Sequence, residues 1–471
     1  MGSKERLFTN ITAAHEEVTG SCISFKTKFP NLNTNRFITD CGIYQEHEYS
    51  NFNEELPADP NEVDAILITH GHADHIAKLP LEVKEVYKNP IYTTKPTYAI
   101  MKPALYDSAK VLRDISKSKG KKLIYQEIDV EKTLQLLVPC NYEKSIQIDE
   151  HTKATFFMNG HLLGAALILV QISYPGFDDI NILFTGDYNS KNMFFDVPKL
   201  PDWVLELPLT IIQESTYGDM DRNMMEKKFR SNVEKAAKDG KTIVALVFSL
   251  GRAQEILYEL KNMQDLGELS LDIPIYFDGK LAHKYTEMYK NRKYGIKEEM
   301  LDFLPQNLVY VGKFNRMSVL KDTNKKIIVT TSGMGNYGPA QSYLPEYVQR
   351  ENTLIHFTGY TAEGTMGRKL KNAQNGEIVQ IGGIMARKRA EIEYTSEYSA
   401  HSKADEMIEF LKQFKRPNLI LINHGETSKK EIFAKRVLKE VQPKKVGILG
   451  RDHMFRINAY GLVKTVPREY M

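Results

Sequence analysis

Ile68-Thr69-His70-Gly71-His72-Ala73-Asp74-His75 packs four metal-ligand side chains into six consecutive positions, and holds three of the chain's 12 histidines. The apolar run 63–68 reads as a buried strand, so the cluster sits where a strand ends and a loop begins. Histidines two apart in extended chain can close on one cation, while Asp74 and His75 point elsewhere and can serve a second. A polar turn with chance-neighbouring histidines is the competing reading, and the added carboxylate weighs against it.

The same arrangement recurs. Run 154–158 is a short apolar strand ending in Asn159-Gly160-His161, 180–185 ends in Gly186-Asp187, 209–213 ends in Glu214, and 419–422 ends in Asn423-His424. Five strands with a ligand-type residue at the C-terminal end argue for a constructed site at one sheet rim, where layered α/β proteins place sites. Asp40, after the run 36–39, is either an orienting partner for a metal-bound His or a plain turn residue.

Between 219 and 389 no such ligand recurs. Strands at 242–248, 273–277, 326–331 and 353–357 alternate there with helices at 252–265 and 282–289, a doubly wound unit of its own. Ligands stand before and after it, which predicts an insert: a metal domain at 1–215 and 393–471 interrupted by a second domain at 216–392. Helices are expected at 79–88, 98–117 and 429–441, the basic stretch 117–122 as a solvated loop, and a last strand at 445–449 closing the first domain.

Composition narrows the class. At one domain per roughly 150 residues, 471 residues suggest two or three domains. Hydrophobic content of 42% and charge of 26% exclude wholesale disorder. A net charge of +3 means that a polyanion must be met by local patches. Cys22, Cys41 and Cys140 form no CxxC pair, which argues against a disulfide framework or a thiolate zinc finger and for a reducing compartment. With no leader-like apolar segment and no 18-residue apolar window, the chain reads as cytoplasmic, without a membrane span.

His70, His72 and His161, with Asp74, His75 and His424, and with Asp187 able to bridge, suit two borderline-soft cations about 3.5–4 Å apart. Imidazole-rich ligation favours two Zn²⁺ per chain, with Mn²⁺ as the alternative. A bridging hydroxide on such a pair hydrolyses an ester without a protein nucleophile, but the ligands do not choose among phosphodiester, thioester, lactam and lactone. The turn Ser332-Gly333-Met334-Gly335-Asn336-Tyr337-Gly338-Pro339 would let backbone N–H groups at Ser332, Gly333 and Gly335 approach a phosphate. Arg368, Lys369 and Lys371, with Arg387, Lys388 and Arg389, gather charge where a nucleic-acid backbone could lie between the domains. A simple connecting turn and ordinary exposed charge are the competing readings.

With these residues placed, the sequence resembles the metallo-β-lactamase superfamily, in its β-CASP branch of nucleic-acid nucleases, over nearly the whole chain. Asp40, His70-Gly71-His72-Ala73-Asp74-His75, Gly160-His161 and Gly186-Asp187 match the superfamily motifs in order. Glu214, His401 in Ser399-Ala400-His401-Ser402, and His424 resemble the three β-CASP motifs. Runs 248–255 and 359–368 are similar to stretches of bacterial and archaeal RNA-processing members, and the compact bacterial form is the nearest type. Asn159 and His15 are departures that touch no ligand position.

The resemblance implies an α/β fold: a four-layer αβ/βα metallo-β-lactamase domain with an inserted doubly wound β-CASP domain. It implies a zinc-dependent ribonuclease that hydrolyses single-stranded RNA to 3′-hydroxyl and 5′-phosphate ends, in RNA processing or decay. Its catalytic residues would be Asp74, Asp187, His401 and Glu214, with His401 assisting the leaving O3′ and Glu214 acting through His401. RNA-acting members carry His at the position of His401, where DNA-repair members have Val. An endonuclease is favoured over a 5′-exonuclease, the choice turning on whether the 333–338 turn makes a closed 5′-phosphate pocket. Single-stranded RNA is the expected partner, no membrane is involved, and a homodimer is allowed. A small-ester or lactam hydrolase, and a non-catalytic RNA-binding assembly protein, are the alternatives.

Overall fold

Strands that read as unbroken apolar runs must be covered on both faces, and in this chain they are. The computed structural model describes residues 7–45, 49–120, 122–225, 227–359, 361, 364–395 and 397–467. The chain folds as two compact units, the first made of residues 1–192, 196–223 and 401–471, and the second of 193–195 and 224–400. Met193–Phe195 join the second unit through the Phe194 ring, which packs 4.9 Å from Tyr289 and 5.1 Å from Phe303.

In chain order, the first unit begins with β1 (Phe8–Ala13), β2 (Ile23–Lys28), β3 (Thr34–Thr39), β4 (Ala65–Leu67), β5 (Ile91–Thr94) and β6 (Leu137–Cys140). Then follow β7 (Ile146–Gln147), β8 (Thr152–Met158), β9 (Ala166–Ile172), β10 (Ile180–Phe184) and β11 (Pro208–Glu214). The second unit contributes β12 (Thr242–Leu246), β13 (Ile275–Asp278), β14 (Leu308–Val311), β15 (Ile327–Thr330), β16 (Thr353–Phe357), β17 (Ile378–Ile381), β18 (Ile384–Arg387) and β19 (Glu391–Tyr394). The first unit resumes with β20 (Arg416–Asn423), β21 (Lys445–Ile448), β22 (His453–Asn458) and β23 (Gly461–Pro467).

The first unit has two sheets, ordered β23-β22-β1-β2-β3-β4-β5-β6 and β21-β20-β11-β10-β9-β8-β7. Side chains alternate along each strand. Phe37, Ala65 and Leu67 face Ile168, Val170, Phe184 and Leu421 between the sheets. Their neighbours Ile38, Ile66 and Ile68 turn outward onto Leu79, Met101, Leu105 and Val130 of covering helices. Leu167, Leu169, Ile211 and Ile420 turn the other way, onto Met407, Ile408, Phe433 and Val437. Helix, sheet, sheet, helix is the four-layer α/β architecture.

In the second sheet β8 and β10 each pair antiparallel with β9, and β10, β11, β20 and β21 are parallel. So β8, β10, β11 and β20 all end at one rim. In the second unit the six-stranded sheet β14-β13-β15-β12-β16-β19 is wholly parallel and its central strands are fully buried, a doubly wound unit, with β17 and β18 as a separate hairpin.

Three local expectations are corrected. The helix expected at 79–88 stops at Lys84, and Val86 adopts a φ of 85°. The next runs Lys95–Lys119, started by Thr94 accepting the Thr97 N–H, so much of the expected basic loop is its last turn. Gly120, at φ 63°, ends it, and Lys121 lies outside the described residues. β21 is not the last strand: β22 and β23 follow and return to pair with β1. No helix among the described residues is long and apolar enough to cross a membrane.

Candidate metal centre

The loop after β4 carries His70 and His72, and His72 stands at the N-terminus of the short helix Ala73–Ile76 that holds Asp74 and His75. His161 follows β8, Asp187 follows β10, Glu214 ends β11 and His424 follows β20. The loop holding His401 is pinned beside Asp187: Ser402 N–H donates to Tyr188 O at 2.7 Å, and Ser190 N–H to Ser402 Oγ at 3.1 Å.

Two ligand groups result, His70 with His72, His161 and Asp187, and Asp74 with His75 and His424. Asp187 lies at their junction. Its Oδ1 is 3.3 Å from His424 Nε2, and its Oδ2 is 3.4 Å from His75 Nε2, 3.5 Å from His70 Nε2, 3.6 Å from His161 Nε2 and 3.9 Å from His401 Nε2. One buried carboxylate thus lies within 3.3–3.9 Å of five imidazole nitrogens.

Five of the rings turn Nε2 toward Asp187, while His72 turns Nδ1 inward, 3.2 Å from His70 Nε2 and 3.3 Å from His161 Nε2. Asp40 Oδ2 accepts from His75 Nδ1–H at 2.8 Å, and also from the Thr69 hydroxyl at 2.8 Å. With its proton so used, Thr69 Oγ accepts from His70 Nδ1–H at 3.1 Å. Thr216 Oγ lies 3.1 Å from His424 Nδ1, and Glu214 accepts from His401 Nδ1–H with both oxygens at 3.0 Å. Carbonyls, hydroxyls and carboxylates behind a ring fix the tautomer a metal needs.

The electrostatics are those of imidazoles crowded around one buried carboxylate. Burial, with His75 beside it, holds His70 well below the usual imidazole range, and burial takes His424 down to about 3 against the pull of Asp187. At His75 burial is outweighed by Asp187 and Asp40, and the pKa ends well above normal. Burial would raise Asp187, but His424, His75, His70 and His401 hold it well below the carboxylate range. Burial also opposes charge on His401, and Glu214 and Asp187 overcome it to raise that pKa. His75 Nε2, Asp187 Oδ1 and His424 Nε2 are buried with no hydrogen bond. Orphaned atoms cost about 1–3 kcal/mol each, and three aimed into one space fit cations.

Some supporting residues escape a reading by motif. Asn159 does touch the ligands, contrary to expectation. It is fully buried, its Oδ1 accepts the His161 N–H at 3.1 Å, and its Nδ2 donates to Thr185 O at 2.9 Å and Asp187 O at 2.7 Å. Gly42 is forced by contact, since a Cβ there would lie 1.6 Å from Asp74 O. Lys403, itself buried, holds its ammonium 3.1 Å from the Tyr217 ring centre, whose ring in turn lies 6.2 Å from that of His401. The signals available were Asn159 before a ligand strand end and the Gly after Asp40-Cys41.

In the second unit the 332–338 turn lies between β15 and the helix Ala340–Tyr347. Gly333 packs on Phe248, and Gly335 N–H is used inside the turn on Ser332 O at 3.0 Å. Lys388 donates to Ala373 O at 2.5 Å and Leu370 O at 3.3 Å, closing the helix Met366–Asn372, on which Arg368 lies half-buried. Arg387 is exposed and donates to Gly376 O at 2.8 Å.

Comparison with known proteins places these units. Residues 31–196 match the metallo-beta-lactamase superfamily domain, 253–370 the Beta-Casp domain, and 385–447 the Zn-dependent metallo-hydrolase RNA specificity domain. The chain is 31% identical over 448 residues to the transcription termination factor FttA of Methanococcus maripaludis, covering 89% of this chain and 67% of that protein. It is 29% identical over 436 residues to an RNase J-like protein of Methanocaldococcus jannaschii, covering 91% and 94%. With Integrator complex subunit 11 of Danio rerio it shares 27% over 450 residues, covering 91% and 70%. None of these supports a homodimer.

Proposed function

Because the chain belongs to the β-CASP family of the metallo-β-lactamase superfamily, we propose that it is a metal-dependent ribonuclease cutting single-stranded RNA, an endonuclease before a 5′-exonuclease, in cytoplasmic RNA processing or decay. The observation that carries this reading is Asp187, a buried carboxylate set 3.3–3.9 Å from five imidazole nitrogens. In this reading the metal domain, 1–215 and 393–471, performs the chemistry, and the insert, 216–392, holds RNA.

His70, His72, His161 and Asp187 would hold one Zn²⁺, and Asp74, His75 and His424, with Asp187 shared, the second. Bound there, such a pair supplies Lewis acidity toward the scissile phosphate and lowers the pKa of a water. Asp40 keeps His75 oriented, as Thr69 does His70 and Thr216 His424. His401 carries the proton step. Its Nδ1–H is anchored on Glu214, leaving Nε2 to face the site, where a proton can pass to the departing O3′. The His401–Glu214 pair is what a small-ester hydrolase would not need, and the matched RNA specificity domain and the name of the RNase J-like relative speak for RNA.

Asp187→Ala is expected to abolish cleavage of a labelled RNA while binding persists, and full activity in that variant would sink the mechanism. His401→Ala should slow cleavage about 10²–10⁴-fold with both metals retained. One RNA offered with a 5′-triphosphate, with a 5′-monophosphate and as a circle separates the modes, since only an endonuclease cuts the circle.

A further inference from the structure

The turn 312–315 leaves β14 at the C-terminal edge of the second unit's parallel sheet, and the Phe314 side chain stands wholly in solvent, 101% exposed. A bare phenylalanine forgoes about 1.5–3 kcal/mol of burial. On a loose tip that would signify little, but this turn is locked. Asn315 Oδ1 accepts the Gly312 N–H at 2.7 Å, Gly312 O accepts the Arg316 N–H at 3.1 Å, and Ser318 Oγ donates to Asn315 O at 2.6 Å. The Arg316 guanidinium then donates twice to Asp278, at 2.6 and 2.9 Å, fastening the turn to the end of β13. A ring mounted this way loses little entropy on contact.

The charge flanking the turn is mainly positive, and the acids just beyond it are paired, Glu287 with Lys290 and Asp322 with Lys326. β13 and β14 are parallel with Asp278 opposite Val311, so the chain leaves both strands side by side, at Lys280 and Lys313. Both lysines are exposed, and neither has an acidic partner among the described residues. Asp278 is the only acid in 278–284 and 312–321, and Arg316 neutralises it, which leaves Lys280, Lys284, Lys313 and Lys321. Tyr310, 39% exposed, and Met317, 58% exposed, add apolar surface on either side of Phe314 along the chain.

We infer that Lys280, Lys313 and Phe314 form a post for single-stranded RNA, the ring stacking on one unpaired base and the two ammonium groups taking flanking phosphates. An aromatic face beside unopposed cations is the combination that holds single strands without reading sequence. A protein-binding core would be poor in lysine. The inference rests on the ribonuclease reading above and adds a subsite that the metal ligands do not require.

The test uses the full chain carrying Asp187→Ala, so that RNA is held uncut, and a dye-labelled 20-nucleotide oligoadenylate followed by fluorescence anisotropy. Phe314→Ala is expected to weaken binding by about 5- to 140-fold, the range of one lost base stack. Phe314→Trp should keep the affinity and show its fluorescence quenched on titration, measured against the parent chain with only Trp203. Lys280→Ala with Lys313→Ala should lower the slope of log affinity against log salt by about 1.4, at roughly 0.7 per phosphate for single strands. Unchanged affinity in Phe314→Ala overturns the post. So does unchanged affinity with altered self-association in sedimentation, which would make the patch a protein-binding face. Failure of the underlying reading is separate: the unmutated chain would then cleave no RNA.

Discussion

Asn159 binds no metal in any reading of the site, yet its carboxamide makes three buried bonds to the backbone of the His161 and Asp187 loops. Replacing it with Ala strands one N–H and two carbonyls, at about 1–3 kcal/mol each before relaxation. Asn159→Ala is therefore expected to lower unfolding free energy by about 2–5 kcal/mol in a denaturant titration run with chelator, so that lost metal does not contribute. Asn159→Asp should not rescue it, because a carboxylate cannot donate to Thr185 O and Asp187 O. A loss under about 0.5 kcal/mol would show that the loops hold themselves. The candidate ligands stand out in the sequence because each is a chemically distinctive residue at or just beyond the end of an apolar run. Asn159, Thr69, Thr216 and Gly42 were not, because what they do depends on backbone brought beside them by the fold, as with Asp74 O beside Gly42.

The same distinction governs whole strands and helices. The helix Arg252–Asp265 and the strand Thr353–Phe357 are set by local pattern, and the sequence reading places both at those bounds. β22 and β23 escape it. His453–Asn458 and Gly461–Pro467 mix apolar with polar residues over short spans, and their partner β1 lies at the other end of the chain. They matter because Phe455 and Ile457 enter the core between the two sheets and β22 covers the edge of β1. Removing everything from His453 onward takes away three large buried side chains, Met454, Phe455 and Ile457, each about 1.5–3 kcal/mol, and uncovers a row of unpaired strand amides. The truncated chain is expected to lose soluble yield, and its soluble fraction to unfold at a clearly lower urea midpoint. An unchanged midpoint would mean that the β1 edge needs no cover.

All seven candidate ligands lie in the first unit, and they come from both of its sheets: His70, His72, Asp74 and His75 from the loop after β4, and His161, Asp187 and His424 from the ends of β8, β10 and β20. Cations held there would join the two sheets at one rim, and among the described residues every candidate ligand belongs to the first unit. Binding to the folded form alone stabilises by RT ln(1 + [L]/Kd), about 4 kcal/mol at a thousandfold excess over Kd. Amides that exchange only through opening of the first unit should then slow by up to about 10³ when Zn²⁺ is added to metal-free chain. Hydrogen exchange read by mass spectrometry is expected to show the protection in peptides spanning 65–76, 152–161, 180–188 and 416–424, with β12, β15 and β16 exchanging as before. Equal protection of both sheets' rims and of β12 to β16 would refute a site confined to the first unit. Protection limited to the loop after β4 would refute Asp187 as the bridge, since a cation held by that loop alone leaves the second sheet free to open.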